Sequence, residues 1–308
     1  MNPVCVIAVD VGGTRMKAAV VDDHAKVLVA RQQPTHRAEG AEAVVHRITA
    51  LVRELMAVAT DQGAVPVGVG VVVPGIVDEA AGVAVASANM GWRNVPVRAL
   101  LENATAVPVA FGHDVRAGGL AEAVLGAGRG AGDFLFLPIG TGIAGAVVLS
   151  GRPYSGGGFA GEIGHVVVQP GGRPCPCGAA GCLETVASAD AIARAYQERS
   201  GERSTAEQVM RRAAKNDHHA VAVWDEALDA LATALVAYTS MLAPELIVVG
   251  GGLASSGARL LEPLQTLLAA RLTFQRAPKL QLAELGDQSG CLGAALLAWE
   301  RLGRQVTG

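Results

Sequence analysis

Three of the chain's five cysteines fall inside eight residues, and a histidine stands ten residues before the first of them: His165, Cys175, Cys177 and Cys182. Three thiolates and one imidazole form a tetrahedral zinc set. Pro174, Pro176, Gly178 and Gly181 lie among the cysteines and let a short loop turn back around one ion. A disulfide leaves one thiol of the three unpaired and gives His165 no role. Three unrelated buried cysteines beside a surface histidine are the other alternative, which the tight Cys-Pro-Cys-Gly-Ala-Ala-Gly-Cys cluster opposes. Four protein ligands leave no open position, so a zinc ion here is expected to be structural rather than hydrolytic.

Two carboxylates bracket the loop. Glu162 precedes His165 by three residues, and Glu184 follows Cys182 by two. A closed metal loop would fix both. A histidine that binds zinc through one ring nitrogen keeps the other N–H as a donor. Two acceptors and one donor in that arrangement suit a polyol, whereas two isolated glutamates would ordinarily be solvated surface.

The 308 residues are 51% hydrophobic and include 39 glycines, enough for one large domain or two of moderate size. A net charge of −3 carries no electrostatic footprint for nucleic acid, and 4% aromatic residues are too few for base-stacking platforms. No apolar run reaches membrane-spanning length, and the first residues lack the pattern of a signal peptide, so no membrane partner is expected. Clustered cysteines without a secretion signal fit a metal site in a reducing cytoplasm.

Residues 4–9 form a β-branched run that enters Asp10-Val-Gly-Gly-Thr14, and a second β-like run covers 16–21. A hairpin tip of this kind exposes backbone N–H groups and the Thr14 hydroxyl, and it can cradle phosphate; Asp10 could hold Mg2+, through water. No helix follows the glycines, so this is neither a Walker loop nor a dinucleotide fingerprint. The logic repeats at 133–149, where strand, Gly140-Thr-Gly142 and strand follow one another. Two such hairpins could hold the phosphates of one nucleotide from two sides. A third glycine turn, Gly250-Gly-Gly252, follows a strand at 245–249 and lets backbone approach a flat ligand. Helices are expected at 40–62, 115–126, 187–198, 220–242, 256–272 and 291–302, with a polar helical segment at 202–217 and a polar loop after Gly75 that includes Asn89. Strands alternating with helices make an α/β protein, whose chemistry sits at strand ends. Gly75, Asn89, His113 and Asp114 lie at such places, although a turn residue or helix cap would also explain each.

Taken together, Asp10-Val-Gly-Gly-Thr14, Asp114, Gly140-Thr-Gly142, Gly161-Glu-Ile-Gly-His165, the cysteine loop through Glu184 and Gly250-Gly-Gly252 resemble the ROK family of sugar kinases and repressors over nearly the whole chain. The resemblance implies the two-domain, actin-like ATPase fold of hexokinases. Its small α/β domain would cover 1–114, joined by the C-terminal helix 291–308. A large α/β domain over 115–290 would carry the zinc loop and nucleotide elements. It also implies that Asp10, Gly12, Gly13, Thr14, Gly140, Thr141 and Gly142 serve the ATP phosphates and that Gly250, Gly251 and Gly252 lie at the adenosine. Asp114 would be the general base. Gly75, Asn89, His113, Glu162, His165 and Glu184 would bind the sugar, and His165, Cys175, Cys177 and Cys182 the zinc.

The implied activity is transfer of the ATP γ-phosphoryl group to the 6-hydroxyl of a hexose, with Mg2+, in the cytoplasm, by a homodimer or homotetramer whose lobes close over the sugar. Glucose is the default substrate; N-acetylmannosamine and 3-amino-3-deoxyglucose are the alternatives. The family usually has Asn-Asp where this chain has His113-Asp114, so His113 is expected to reshape sugar discrimination. A sugar-responsive repressor would carry a winged helix before the first glycine turn, and Asp10 leaves no room for one. A non-catalytic sugar sensor is opposed by Asp114 and the intact turns.

Overall fold

The computed structural model describes residues 2–87 and 90–306, which group into two compact units. The first comprises the chain up to Arg129, Arg152–Ala160 and the residues from Asp287 onward; the second comprises Gly130–Gly151 and Gly161–Gly286.

In the first unit, β1 (Val4–Val11), β2 (Arg15–Asp22), β3 (Val27–Pro34), β4 (Val65–Val73) and β8 (Val109–His113) form a sheet in the order β3-β2-β1-β4-β8. β1 is antiparallel to β2 and parallel to β4, and β4 is parallel to β8. Alternation along β1 buries both of its faces. Cys5, Ile7 and Val9 join the core under helix α1 (Ala41–Asp61), while Val6 and Ala8 join the core that contains Ala294 and Trp299. α1 faces the sheet with Val44, Ile48, Leu51, Val52 and Leu55, the stripe expected from its 3.6-residue period.

The stretch expected as a polar loop after Gly75 instead holds a small antiparallel sheet, β5 (Ile76–Asp78), β6 (Val83–Ser87) and β7 (Trp92–Val95), followed by α2 (Val97–Thr105). Buried Met90, Trp92, Val97 and Leu101 anchor it. Strand β3 was likewise not expected.

The domain boundary expected at 114 falls inside this first unit. Helix α3 (Asp114–Leu125) crosses the closing helix Ser289–Arg301 so tightly that a Cβ on Gly293 would meet the Ala117 carbonyl oxygen at 2.1 Å. Both helices share one sheet face, which keeps the chain in this unit up to Arg129.

The second unit is built on four strands. β9 (Phe134–Pro138) pairs antiparallel with β10 (Ala146–Leu149) and parallel with Leu246–Gly250, which pairs parallel with Lys279–Leu282. Helices α4 (Leu183–Ala187), α5 (Ala189–Ser200), α6 (Ala206–Ala213), α7 (His218–Leu242) and α8 (Ala258–Arg271) supply most of its core. The polar segment 202–217 is helical only in α6, which begins with a Thr205–Gln208 capping box. No described helix is long and apolar enough to cross a membrane.

Candidate functional site

The candidate residues fall in two sets, one in each unit. In the first unit, β1 and β2 are joined by the turn expected at Gly12-Gly13-Thr14. Gly12 donates its amide to the Arg15 carbonyl at 3.0 Å. Thr35, fully buried, donates its hydroxyl to the Gly12 carbonyl at 2.6 Å and its amide to the Thr14 carbonyl at 2.9 Å. The turn is therefore braced from beneath by a residue that no motif singled out. The β-branched Val27 and Val29 after the Asp22-Asp23 turn were the available signal for the strand that delivers it.

Asp10 ends near the start of the closing helix. A Cβ on Gly290 would lie 2.4 Å from its Oδ2 atom, so glycine is needed there for the carboxylate to keep its place. Burial pushes the Asp10 carboxyl up to about 7, the negative charge of Asp114 adds to the rise, and Lys17 opposes it. Lys17 is itself 3.4 Å from Asp287. Two mutually repelling carboxylates make a donor set that a divalent cation relieves, which fits Mg2+.

Strand β8 ends at His113 and α3 begins at Asp114. His113, not Asp114, occupies the N-cap: its Nδ1 accepts the Arg116 amide hydrogen at 3.4 Å. Asp114 Oδ1 accepts the Val115 amide hydrogen at 2.7 Å. Burial lifts the Asp114 carboxyl to about 6, against the lowering effect of the Val115 hydrogen bond and the Arg116 charge. Gly75 lies in the same unit, directly before β5, at φ 107°. Asn89 lies outside the described residues.

In the second unit the two other glycine turns are laced together. Ile139, just before Gly140, donates its amide to the Gly250 carbonyl at 2.9 Å and accepts the Leu253 amide at 3.0 Å. Gly140 donates its amide to the Gly142 carbonyl at 2.9 Å. Next to this turn, Glu184 Oε2 accepts the Ile143 amide at 2.8 Å. The expected metal ligands also converge. One donor atom from each of His165, Cys175, Cys177 and Cys182 lies within 4.8 Å of the others. Cys177 and Cys182 sulfurs are 3.6 Å apart, and Cys175 Sγ is 3.5 Å from His165 Nδ1. Zn–S bonds of about 2.3 Å in a tetrahedron require edges of about 3.8 Å, so the cluster fits one zinc ion. His165 Nε2 points toward Glu162, whose Oε2 is 3.9 Å away. Backbone bonds close the loop: Cys175 donates its amide to Ala179 at 2.8 Å, and Gly181 donates to Arg173 at 2.8 Å.

A sequence model of the ROK family matches residues 6–301. The chain belongs to the ROK family. It is 35% identical to a glucokinase of Thermotoga maritima, over 96% of this chain and 98% of that one. It is 31% identical to an N-acetylmannosamine kinase of Citrobacter koseri, over 95% and 98%. A ROK family glucokinase from Streptomyces griseus, solved in complex with glucose and AMPPNP, matches with a TM-score of 0.83 at 27% identity and covers 96% of this chain and 99% of that chain. The mixed α/β, two-domain fold of this ROK protein is the fold of ROK sugar kinases.

Proposed function

We propose that this ROK protein is an ATP-dependent hexose kinase that phosphorylates the 6-hydroxyl of a hexose, glucose first. The observation that carries the reading is Asp114, a half-buried carboxylate at the head of α3 whose pKa is lifted to about 6 by desolvation. Such a group is ionised at neutral pH yet holds a proton well enough to take one from a hydroxyl as its oxygen attacks. The glucose and AMPPNP of the Streptomyces griseus complex support the choice of substrates.

Phosphoryl transfer asks a protein for positioning and charge stabilisation rather than covalent chemistry. On this reading the amides of Gly13 and Thr14 and those of Thr141 and Gly142 bind phosphate oxygens, Gly12 and Gly140 close the two turns with their own amides, and Gly250, Gly251 and Gly252 serve the adenosine. Asp10 would hold Mg2+, which supplies charge neutralisation at the phosphates. Glu162, His165 and Glu184 would take sugar hydroxyls, with Gly75 and Asn89 completing that set. His165, Cys175, Cys177 and Cys182 would hold the zinc that fixes Glu162 and Glu184 at the two ends of the loop. A cytoplasmic homodimer or homotetramer is the setting that goes with this reading.

The test is ATP-dependent phosphorylation by purified protein across glucose, mannose and N-acetylmannosamine. Glucose is expected to give the highest kcat/KM. The similarity to the Citrobacter koseri enzyme makes N-acetylmannosamine the second candidate, and a higher kcat/KM for it would replace glucose in this account. No turnover with any hexose would overturn the kinase reading.

A further inference from the structure

Two carbonyls of the first glycine turn are held by one residue outside it. The pairing of β1 with β2 ends at Val11 and Met16, so Gly12, Gly13 and Thr14 lie beyond the ladder. Gly12 donates its own amide to the Arg15 carbonyl. The register of β2 on β3 sets Arg15 opposite Pro34, which brings Thr35 against the turn. There Thr35 makes two bonds, from its hydroxyl to the Gly12 carbonyl at 2.6 Å and from its amide to the Thr14 carbonyl at 2.9 Å. A carbonyl oxygen only accepts, so the hydroxyl hydrogen points at Gly12. Thr35 is fully buried, so it meets the turn and not the solvent.

The Gly12 carbonyl and the Gly13 amide belong to one trans peptide unit. Such a unit is planar, and its C=O and N–H point in opposite directions. Holding the carbonyl on Thr35 therefore aims the Gly13 N–H away from the buried side of the turn. That N–H donates to no protein group among the described residues. Packing does not fix the unit. It has glycine on both sides, so no Cβ resists its rotation. A Cβ on Gly13 would meet no described atom closer than 3.6 Å. The turn at Gly140 is aimed by the same logic: Ala189 donates its amide to the Gly140 carbonyl at 2.8 Å, which turns the Thr141 N–H the other way. In that turn a backbone amide does the holding; in the first turn a side chain does, so a substitution can remove it.

We propose that Thr35 is a positioning residue for the nucleotide: its buried hydroxyl locks the Gly12–Gly13 peptide with the N–H turned out to receive a phosphate oxygen. The proposal rests on the reading of this turn as a phosphate site. Without the hydroxyl the Gly12–Gly13 unit can turn over and withdraw its N–H. The Gly12 carbonyl would then also lose its only protein partner among the described residues. Because Thr35 acts through the turn, its effect falls on ligands that carry phosphate. Adenosine carries none and, on the same reading, lies at Gly250–Gly252 in the other unit, so its binding does not depend on Thr35.

The test titrates the full-length protein calorimetrically with ATP and Mg2+ and, separately, with adenosine. Thr35→Val keeps the β-branched shape and removes the donor, whereas Thr35→Ser keeps the donor. Thr35→Val should bind ATP about tenfold more weakly than wild type, the scale of one amide hydrogen bond to a charged oxygen, and should bind adenosine as wild type does. Thr35→Ser should bind both as wild type does. Equal ATP affinity in Thr35→Val and wild type would overturn the proposal. A loss that adenosine shares, or that Thr35→Ser does not recover, would mark a general structural role and overturn it too. Wild type that binds ATP no tighter than adenosine would overturn the phosphate reading of the turn, and the proposal with it. A second measurement needs no variant. In 15N-labelled wild type the Gly13 amide signal should shift on addition of ATP and stay in place on addition of adenosine. A Gly13 signal that does not move while ATP binds would overturn the proposal and leave the kinase reading standing.

Discussion

Glu184 accepts the backbone N–H of Ile143 at 2.8 Å, so the residue that follows the last cysteine of the candidate metal cluster by two positions is tied to the Gly140–Gly142 turn. The metal loop and one of the glycine turns are thereby coupled inside a single unit.

Gly142 is the residue that permits this. A Cβ there would lie 2.5 Å from the same Glu184 oxygen. Gly142→Ala should drive the carboxylate off Ile143 and leave that amide without its partner. The side-chain end can move, so the expected stability loss is about 1–2 kcal/mol, the scale of one hydrogen bond to a charged group. Turnover should fall more than about tenfold because Glu184 leaves the place in which we propose it takes a sugar hydroxyl. Thermal unfolding together with steady-state kinetics checks both parts; unchanged turnover would remove Glu184 from the sugar set.

Metal analysis of the purified protein should find one zinc per chain. Cys177→Ser replaces a thiolate by a poor zinc ligand on the exposed side of the cluster. Zinc content, melting temperature and sugar turnover should fall together, because the same ion holds the loop that ends in Glu184. Full activity with well under half a zinc per chain would contradict this.

The convergence of the histidine and three cysteines and the positions of the glycine turns were legible in the sequence because each depends on residue types at short spacing. His165, Cys175, Cys177 and Cys182 needed only one loop closure to meet. What the sequence hid depended on distant partners. Thr35 braces Gly12 from 23 residues away, and nothing near Thr35 marks it for that task. Gly290 looks like an ordinary helix-start glycine until Asp10 is seen against it. The β5–β7 sheet was masked by its turn-rich composition, although buried Met90 and Trp92 anchor it. The boundary expected at 114 missed α3 because only the α3 crossing with Ser289–Arg301, at Ala117 and Gly293, shows which core the helix belongs to.

Asp10 links the site to stability. Its pKa rises from the ordinary value 3.8 to about 7 on folding, so the folded chain keeps a proton that the unfolded chain releases. The stabilisation this gives is complete below the unfolded value and is lost as pH rises through about 7. Asp10→Asn removes the dependence. The variant should therefore gain on the wild type as pH increases from about 4 to about 8, by about 1–3 kcal/mol at the upper end, while losing kinase activity. Paired urea titrations across that range, without added divalent cation, read the difference. A stability difference independent of pH would show that Asp10 carries no such shift.

We propose that Asp114 takes the proton of a hexose 6-hydroxyl as ATP is attacked. The most direct measurement follows the 31P NMR spectrum of glucose, ATP and Mg2+ with wild type and with Asp114→Asn. Wild type should build a sugar 6-phosphate signal as ATP becomes ADP. The variant keeps the size of the side chain but is a poor proton acceptor, so its rate should be lower by at least about 10²-fold. Wild type that releases inorganic phosphate without sugar phosphate, or a variant that keeps most of the rate, would contradict the account.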